Sequence, residues 1–233
     1  MCGIAGLGAR GMSQESSEAT VSQMIARLEH RGPDDGGVWT SACGAVTLGH
    51  RRLSILDLSS AGHQPMTSPC GRYAVVLNGE IYNFKQLRKQ LESAACRFRG
   101  QSDTEVVLFA VQQWGIKAAL ERFEGMFALA VWDQQEKRLY LARDRLGEKP
   151  LYYGYVNESF VFASELKALR AIPGWSPELD LDAVGLQMRY TYIAAPHCIY
   201  KGITKLEPGA YTEVRFSGRA QVGASIHYWN FDQ

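Results

Sequence analysis

Two consecutive hairpin patterns in the middle of the chain restrict its fold more than any other feature. Segments 126–132 and 138–143 are strand-like runs separated by the five polar residues 133–137, and segments 151–155 and 160–163 repeat the arrangement around 156–159. Upstream the periodicity is helical. Val21, Met24, Ile25 and Leu28 fall on one face of a helix expected over residues 18–30, which the run Arg31-Gly32-Pro33-Asp34-Asp35-Gly36 should end. Asn83 is placed to cap a helix carrying Leu87 and Leu91. Ser102 or Asp103 is placed to cap another, with Val106, Val107, Ala110 and Val111 on its apolar face. Short strands are expected at 2–7, 37–40, 45–49, 73–77 and 209–216, a polar loop at 11–17, and further helices near Ser164 and over 181–190. Helices first and paired strands later point to an α+β chain with antiparallel sheets rather than alternating β-α units.

Charge and cysteine usage exclude several function classes. The 233 residues carry 25 Lys and Arg against 24 Asp and Glu, a net charge of +1, which leaves no electrostatic footprint for nucleic acid or an anionic membrane. The five cysteines, Cys2, Cys43, Cys70, Cys96 and Cys198, are odd in number and lack C-x-x-C spacing, so neither a disulfide framework nor a zinc site is expected. No basic segment leads into an apolar one at the start, and no apolar run approaches the ~20 residues of a membrane span. A reducing cytoplasmic setting is expected. Neither G-x-G-x-x-G nor G-x-x-x-x-G-K-[ST] occurs, so no phosphate-cradling loop is indicated.

Cys2 stands out by position. The small residue after Met1 allows removal of the initiator, which would leave one residue with both a thiol and a free α-amine. A free α-amine titrates at roughly 7.7–8, so part of it is unprotonated at neutral pH and can take the thiol proton without a histidine. The plain alternative is a small apolar residue opening a strand. Asn78-Gly79 is equally two-sided: it is the usual signal of a type I′ hairpin turn, or it supplies N–H donors to a developing oxyanion. Arg51 and Arg52 each offer a planar fork suited to a carboxylate, and chemistry alone does not choose between them. His30, where a helix ends, reads as part of a structural turn rather than as a general base. Arg143, Asp144 and Lys149 read either as an ion-pair cluster near the site or as a face toward another module.

Seven short motifs follow one another in fixed order. They are Cys2-Gly3-Ile4-Ala5-Gly6, His30-Arg31-Gly32-Pro33-Asp34, Arg52-Leu53-Ser54-Ile55, Asn78-Gly79-Glu80-Ile81-Tyr82-Asn83, Ser102-Asp103-Thr104-Glu105, Arg143-Asp144-Arg145-Leu146-Gly147 and Ala163-Ser164-Glu165-Leu166-Lys167. Each is weak alone, but the ordered set resembles the glutaminase domain of the asparagine synthetase family, the class II glutamine amidotransferases. The resemblance implies an N-terminal-nucleophile hydrolase fold, a four-layer αββα sandwich of two antiparallel sheets flanked by helices. It implies Cys2 as nucleophile and α-amine base, with the Asn78 amide and the Gly79 N–H as oxyanion hole. Arg52 would hold the glutamine α-carboxylate, main-chain groups of Leu53, Ser54, Ile55 and Leu56 would wall the pocket, and Glu80 and Asp103 would bind the α-ammonium. Asp103 could also cap its helix. The implied reaction is hydrolysis of L-glutamine to glutamate and ammonia through a γ-glutamyl thioester.

The same resemblance sets expectations for partners. Residues 1–190 would form the amidotransferase domain and 191–233 a connector toward an ATP-dependent synthetase module acting in cis or in trans. No S-G-G-x-D-S loop is present, so ATP and Mg would belong to that module, and no metal or cofactor is expected in this chain. A fragment of a longer protein is preferred over a stand-alone glutaminase, and a homodimer is compatible with the sequence. Aspartate is the expected ammonia acceptor, with a sugar as the alternative. A non-catalytic regulatory or interaction domain is the competing class.

Overall fold

The structure, a computed structural model, describes residues 1–8, 11–55, 57 and 59–230. In chain order the first half contains β1 (Gly3–Gly8), α1 (Gln14–Ala26), β2 (Asp35–Thr40), β3 (Thr47–Arg52), β4 (Met66–Thr67), β5 (Tyr73–Ile81), α2 (Phe84–Ser93), α3 (Asp103–Trp114) and α4 (Ile116–Arg122). The second half contains β6 (Gly125–Asp133), β7 (Arg138–Arg143), β8 (Tyr152–Val156), β9 (Ser159–Ala163), α5 (Leu166–Leu169), α6 (Leu181–Tyr190), β10 (Ile203–Lys205), β11 (Ala210–Ser217), β12 (Arg219–Val222) and β13 (Ile226–His227). They build a six-stranded sheet ordered β10-β8-β9-β1-β3-β2 and a seven-stranded sheet ordered β12-β11-β7-β6-β5-β4, with β13 also on β11. All registers are antiparallel.

Strand side chains alternate between faces, so each sheet contributes to two apolar layers. Ile4, Leu48, Phe160 and Phe162 of the first sheet meet Ala74, Val76, Ala130 and Trp132 of the second in the middle core. The opposite face of the second sheet, with Val75, Leu77 and Ile81, packs on Leu87, Leu91, Val106 and Val107 of α2 and α3. The opposite face of the first sheet, with Ala5 and Leu7, packs on Val21, Met24, Ile25 and Leu28. The result is the expected αββα sandwich.

Several local expectations shift. α1 starts at Gln14 because the Ser13 hydroxyl accepts the Ser16 N–H at 3.2 Å, turning part of the expected polar loop into a first helical turn. Asn83 flanks α2 without capping it. Its amide instead donates to the Arg122 carbonyl (2.9 Å) and accepts the Glu124 N–H (3.2 Å), tying the start of α2 to the end of α4. Segment 191–233 supplies β10 to one sheet and β11 to β13 to the other.

The largest revision concerns Asn78-Gly79. There is no turn here: β5 continues to Ile81, with Asn78 opposite Ala128 and Gly79 opposite Phe127. Three helices separate β5 from its partner in sequence, so no hairpin loop is required. Gly79 is needed for another reason. Its φ is +149°, and a Cβ there would overlap the Met126 carbonyl across the ladder. Among the described residues no helix is long and apolar enough to cross a membrane.

Candidate active site

The middle core ends where β1 begins. Continuing the alternation that sends Ile4 between the sheets, Cys2 faces the same gap. On β5 the positions following Ala74 and Val76 on that face are Asn78 and Glu80, and on β3 those following Leu48 are His50 and Arg52. Polar side chains thus replace apolar ones at one edge of an otherwise dry layer. The same parity separates the two arginines. Arg52 lines the resulting cleft, whereas Arg51 turns to the other face and donates to the Gly32 carbonyl at 2.9 Å.

The cleft is partly open to solvent. Cys2, Arg52, Leu53, Ile55, Asn78, Gly79, Glu80 and Asp103 all line it. Ser54 is not part of this wall; its N–H donates to Asp34 Oδ2 at 2.8 Å, anchoring the loop from behind. Leu56 lies outside the described residues.

Cys2 is held at both ends. Its carbonyl accepts Arg31 Nε–H at 2.8 Å, and Arg31 also pairs with Glu165 at 2.7 Å. Its Sγ accepts the Leu53 N–H at 3.4 Å. Burial pushes the thiol up from its ordinary value, against the Leu53 N–H, which pulls it down. A thiol so placed needs a base to become a nucleophile. His30 does not fill that role: it lies outside the cleft wall and contacts Glu165 at 3.1 Å.

Asn78 is fully buried, yet neither its Nδ2 nor its Oδ1 has a partner among the described residues. A buried amide left this way costs about 1–3 kcal/mol, so a ligand that accepts from Nδ2 would recover a deficit the fold carries. The odd residues of β5 direct their main-chain groups away from β6, because Leu77 N–H donates to Gln64 Oε1 (2.7 Å) and Ile81 N–H to Asp103 Oδ2 (3.0 Å). By that alternation the Gly79 N–H also points off the sheet edge into the cleft. Asn78 and Gly79 thus share the cleft wall with Cys2.

The charged groups are arranged around the rest of the cleft. The Arg52 guanidinium is buried and donates to the Ser59 carbonyl at 3.0 Å and to the Asp57 carbonyl, leaving a second N–H on each terminal nitrogen. Gly62 lies against it, and a Cβ there would displace the guanidinium. Asp57 latches this loop to the base of α3 by accepting the Gln101 N–H at 2.9 Å. Ser102 caps α3, with its hydroxyl accepting the Thr104 N–H at 3.0 Å, and Asp103 is the first helical residue. Burial, with Glu80 adding repulsion, pushes the Asp103 carboxyl up to about 6.

That value has a measurable consequence. A cationic ligand group beside Asp103 favours its ionised form, so binding is full above pH 6 and is lost as pH falls through about 6. If the cleft takes glutamine, as the resemblance implies, calorimetry of a Cys2→Ala chain should show its affinity falling below pH 6 with a slope approaching tenfold per pH unit. An affinity flat from pH 5 to 7.5 would remove Asp103 from the ammonium site.

Among the described residues Arg143, Asp144 and Lys149 form no ion pair with one another; main-chain hydrogen bonds link them instead. Arg143 donates to the carbonyls of Gly147, Lys149 and Leu206, and Asp144 accepts the N–H groups of Phe127, Leu146, Glu148 and Lys149. Lys149 is nearly buried in the cleft wall, with Nζ 3.1 Å from the Met1 sulfur. Sequence reasoning gave no role here to Arg31, Gln64 or Thr104; Arg31 and Thr104 lie within motifs, whereas Gln64 carried no signal. Among the described residues no cluster of three or more His, Cys, Asp or Glu could hold a metal ion.

Comparison with known proteins identifies relatives. The chain is 36% identical over 220 residues to asparagine synthetase (glutamine-hydrolyzing) 1 of Bacillus subtilis, a match covering 94% of this chain and 34% of that protein. Asparagine synthetase (glutamine-hydrolyzing) 3 of the same organism is 36% identical over 236 residues, covering 100% of this chain and 37% of the relative. The chain thus spans about a third of the length of these relatives. Among solved structures, the glutamine phosphoribosylpyrophosphate amidotransferase of B. subtilis, complexed with ADP and GMP, superposes with a TM-score of 0.69 at 20% identity. That match covers 98% of this chain and 49% of the other, and it speaks for the fold. A family model described as a glutamine amidotransferase domain matches residues 1–229, through both sheets and every wall of the cleft, and the chain belongs to that family.

Proposed function

We propose that this chain, once Met1 is removed, hydrolyses L-glutamine and hands the ammonia to an ATP-dependent module that amidates aspartate. The observation that carries the hydrolytic reading is the buried, unpartnered Asn78 carboxamide on the wall that also holds the Cys2 sulfur. The α-amine freed by trimming takes the thiol proton, and sulfur attacks the side-chain carboxamide carbon. The oxygen of the tetrahedral adduct accepts from Asn78 Nδ2 and the Gly79 N–H. The α-ammonium returns its proton to the leaving nitrogen, ammonia departs, and a γ-glutamyl thioester remains on Cys2. Water then attacks with the same amine as base, and glutamate and the thiol are regenerated. The acceptor assignment is supported by the names of the two B. subtilis relatives, both asparagine synthetases.

Arg52 opposite Glu80 and Asp103 suits a free zwitterionic amino acid, one cation facing two anions. The test compares ammonia release by the trimmed chain from glutamine and from its analogue lacking the α-amino group. Glutamine should be hydrolysed, and the analogue should lose about 100-fold or more in kcat/KM, because the buried Asp103 and half-buried Glu80 carboxylates would be left without a counter-charge. Equal rates would point to a general amidase. No release from glutamine by a chain shown by mass to lack Met1 would leave a binding module.

A further inference from the structure

β4 covers only part of the outer edge of β5: Met66 and Thr67 pair with Val75 and Ala74, and among the described residues no strand continues beyond them. From Leu77 onward side chains take over that edge. Gln64 receives the Leu77 N–H at 2.7 Å, while its own Nε2 donates to Thr104 Oγ1 at 3.0 Å. Asp103 receives the Ile81 N–H at 3.0 Å. The Leu77 carbonyl is held from the other sheet, by Nε2 of His50 on β3 at 3.1 Å. Leu77 is therefore gripped at both of its main-chain groups, one residue before Asn78 and two before Gly79.

We propose that His50 is a positioning residue of the oxyanion hole: by gripping the Leu77 carbonyl across the sandwich, it fixes the height at which β5 presents Asn78 and the Gly79 N–H to the Cys2 sulfur. The inference rests on reading this cleft as a glutamine-hydrolysing site. Three observations support it. The contact spans the two sheets at the point where the middle core gives way to the cleft, where little apolar packing is left to set their separation. His50 is fully buried and does not line the cleft, so it acts through Leu77 rather than on substrate. Burial also pulls its imidazole down to about 3, so the ring is neutral at working pH. A carbonyl acceptor at Nε2 then places the proton there, and Nδ1 is a buried lone pair without a partner. A ring kept at that cost for a single directed bond fits a requirement for placement.

The test uses the Met1-trimmed chain with His50→Met, which keeps apolar bulk but no donor, and His50→Gln, whose amide can still reach a carbonyl. We expect His50→Met to lower kcat about 10- to 100-fold with KM for glutamine within about threefold, since an oxyanion hole displaced by a fraction of an ångström loses its effect mainly on the transition state. His50→Gln should recover most of kcat. A merely structural role would lower the unfolding midpoint without this selective loss of kcat and without rescue. Wild-type kcat in His50→Met, a loss carried by KM, or no advantage of Gln over Met overturns the proposal. Should His50→Met fail to fold, His50→Asn, too short to reach Leu77, replaces it: kcat below that of His50→Gln supports the role, and equal values overturn it. A trimmed wild-type chain that releases no ammonia would instead bring down the underlying functional reading.

Discussion

Cys2→Ala is expected to abolish glutamine hydrolysis while leaving the chain folded and able to bind glutamine. The sulfur sits at the end of the middle core rather than within it, and among the described residues its one close donor is the Leu53 N–H at 3.4 Å. Removing it leaves Arg31 on the Cys2 carbonyl and the β1 ladder unchanged in kind, because those contacts are made by main chain. The binding groups Arg52, Glu80 and Asp103 belong to β3, β5 and α3 and have no bond to the sulfur. Loss of a nucleophile that forms a covalent intermediate costs about 10³-fold or more in kcat. Ammonia release measured beside calorimetric glutamine binding checks both halves. Activity within tenfold of the parent would exclude Cys2 as nucleophile, and loss of binding would show that Cys2 also shapes the pocket.

Asn78→Ala has the second largest expected effect and an unusual signature. Losing one of two oxyanion donors should lower kcat about 100- to 1000-fold, with the Gly79 N–H left to act alone. Stability should not fall with it. The amide makes no hydrogen bond among the described residues, so its removal deletes an unsatisfied polar group rather than a contact. An unfolding midpoint equal to or above that of the parent, together with the drop in kcat, is the expected pair. A lowered midpoint with kcat intact would mean that Asn78 serves packing and that the oxyanion sits elsewhere.

The architecture was legible because its signals are local. The β6–β7 and β8–β9 hairpins, the Ser102 start of α3 and the stripe Val21-Met24-Ile25-Leu28 each declare themselves within a few residues, and they stand where they were expected. Asn78-Gly79 was locally misleading because the propensity of Asn-Gly for tight turns is overridden by a partner strand more than forty residues away in sequence. What demands glycine there is the approach of the Met126 carbonyl, which no spacing rule exposes. The choice between Arg51 and Arg52 was contained in the chain all along: Arg52 shares parity with Leu48 on β3 and Arg51 does not. His50 shares that parity too, but its partner is a main-chain carbonyl on the other sheet, and a residue that works through a backbone group leaves no pairing signature in sequence. Within 191–233 the strand expected at 209–216 stands as β11, whereas β10, β12 and β13 are short and their place in the sheets depends on distant partners.

Everything chemical in this account depends on sulfur becoming acylated after Met1 is lost. The most direct measurement is intact-mass analysis of the trimmed chain, mixed with glutamine and quenched in acid, with Cys2→Ala as control. The account predicts a transient adduct of one glutamyl residue that maps to Cys2, is released by hydroxylamine and is missing from the control. Ammonia released at full rate with no such adduct at any quench time, or at the same rate by a chain that retains Met1, would contradict it.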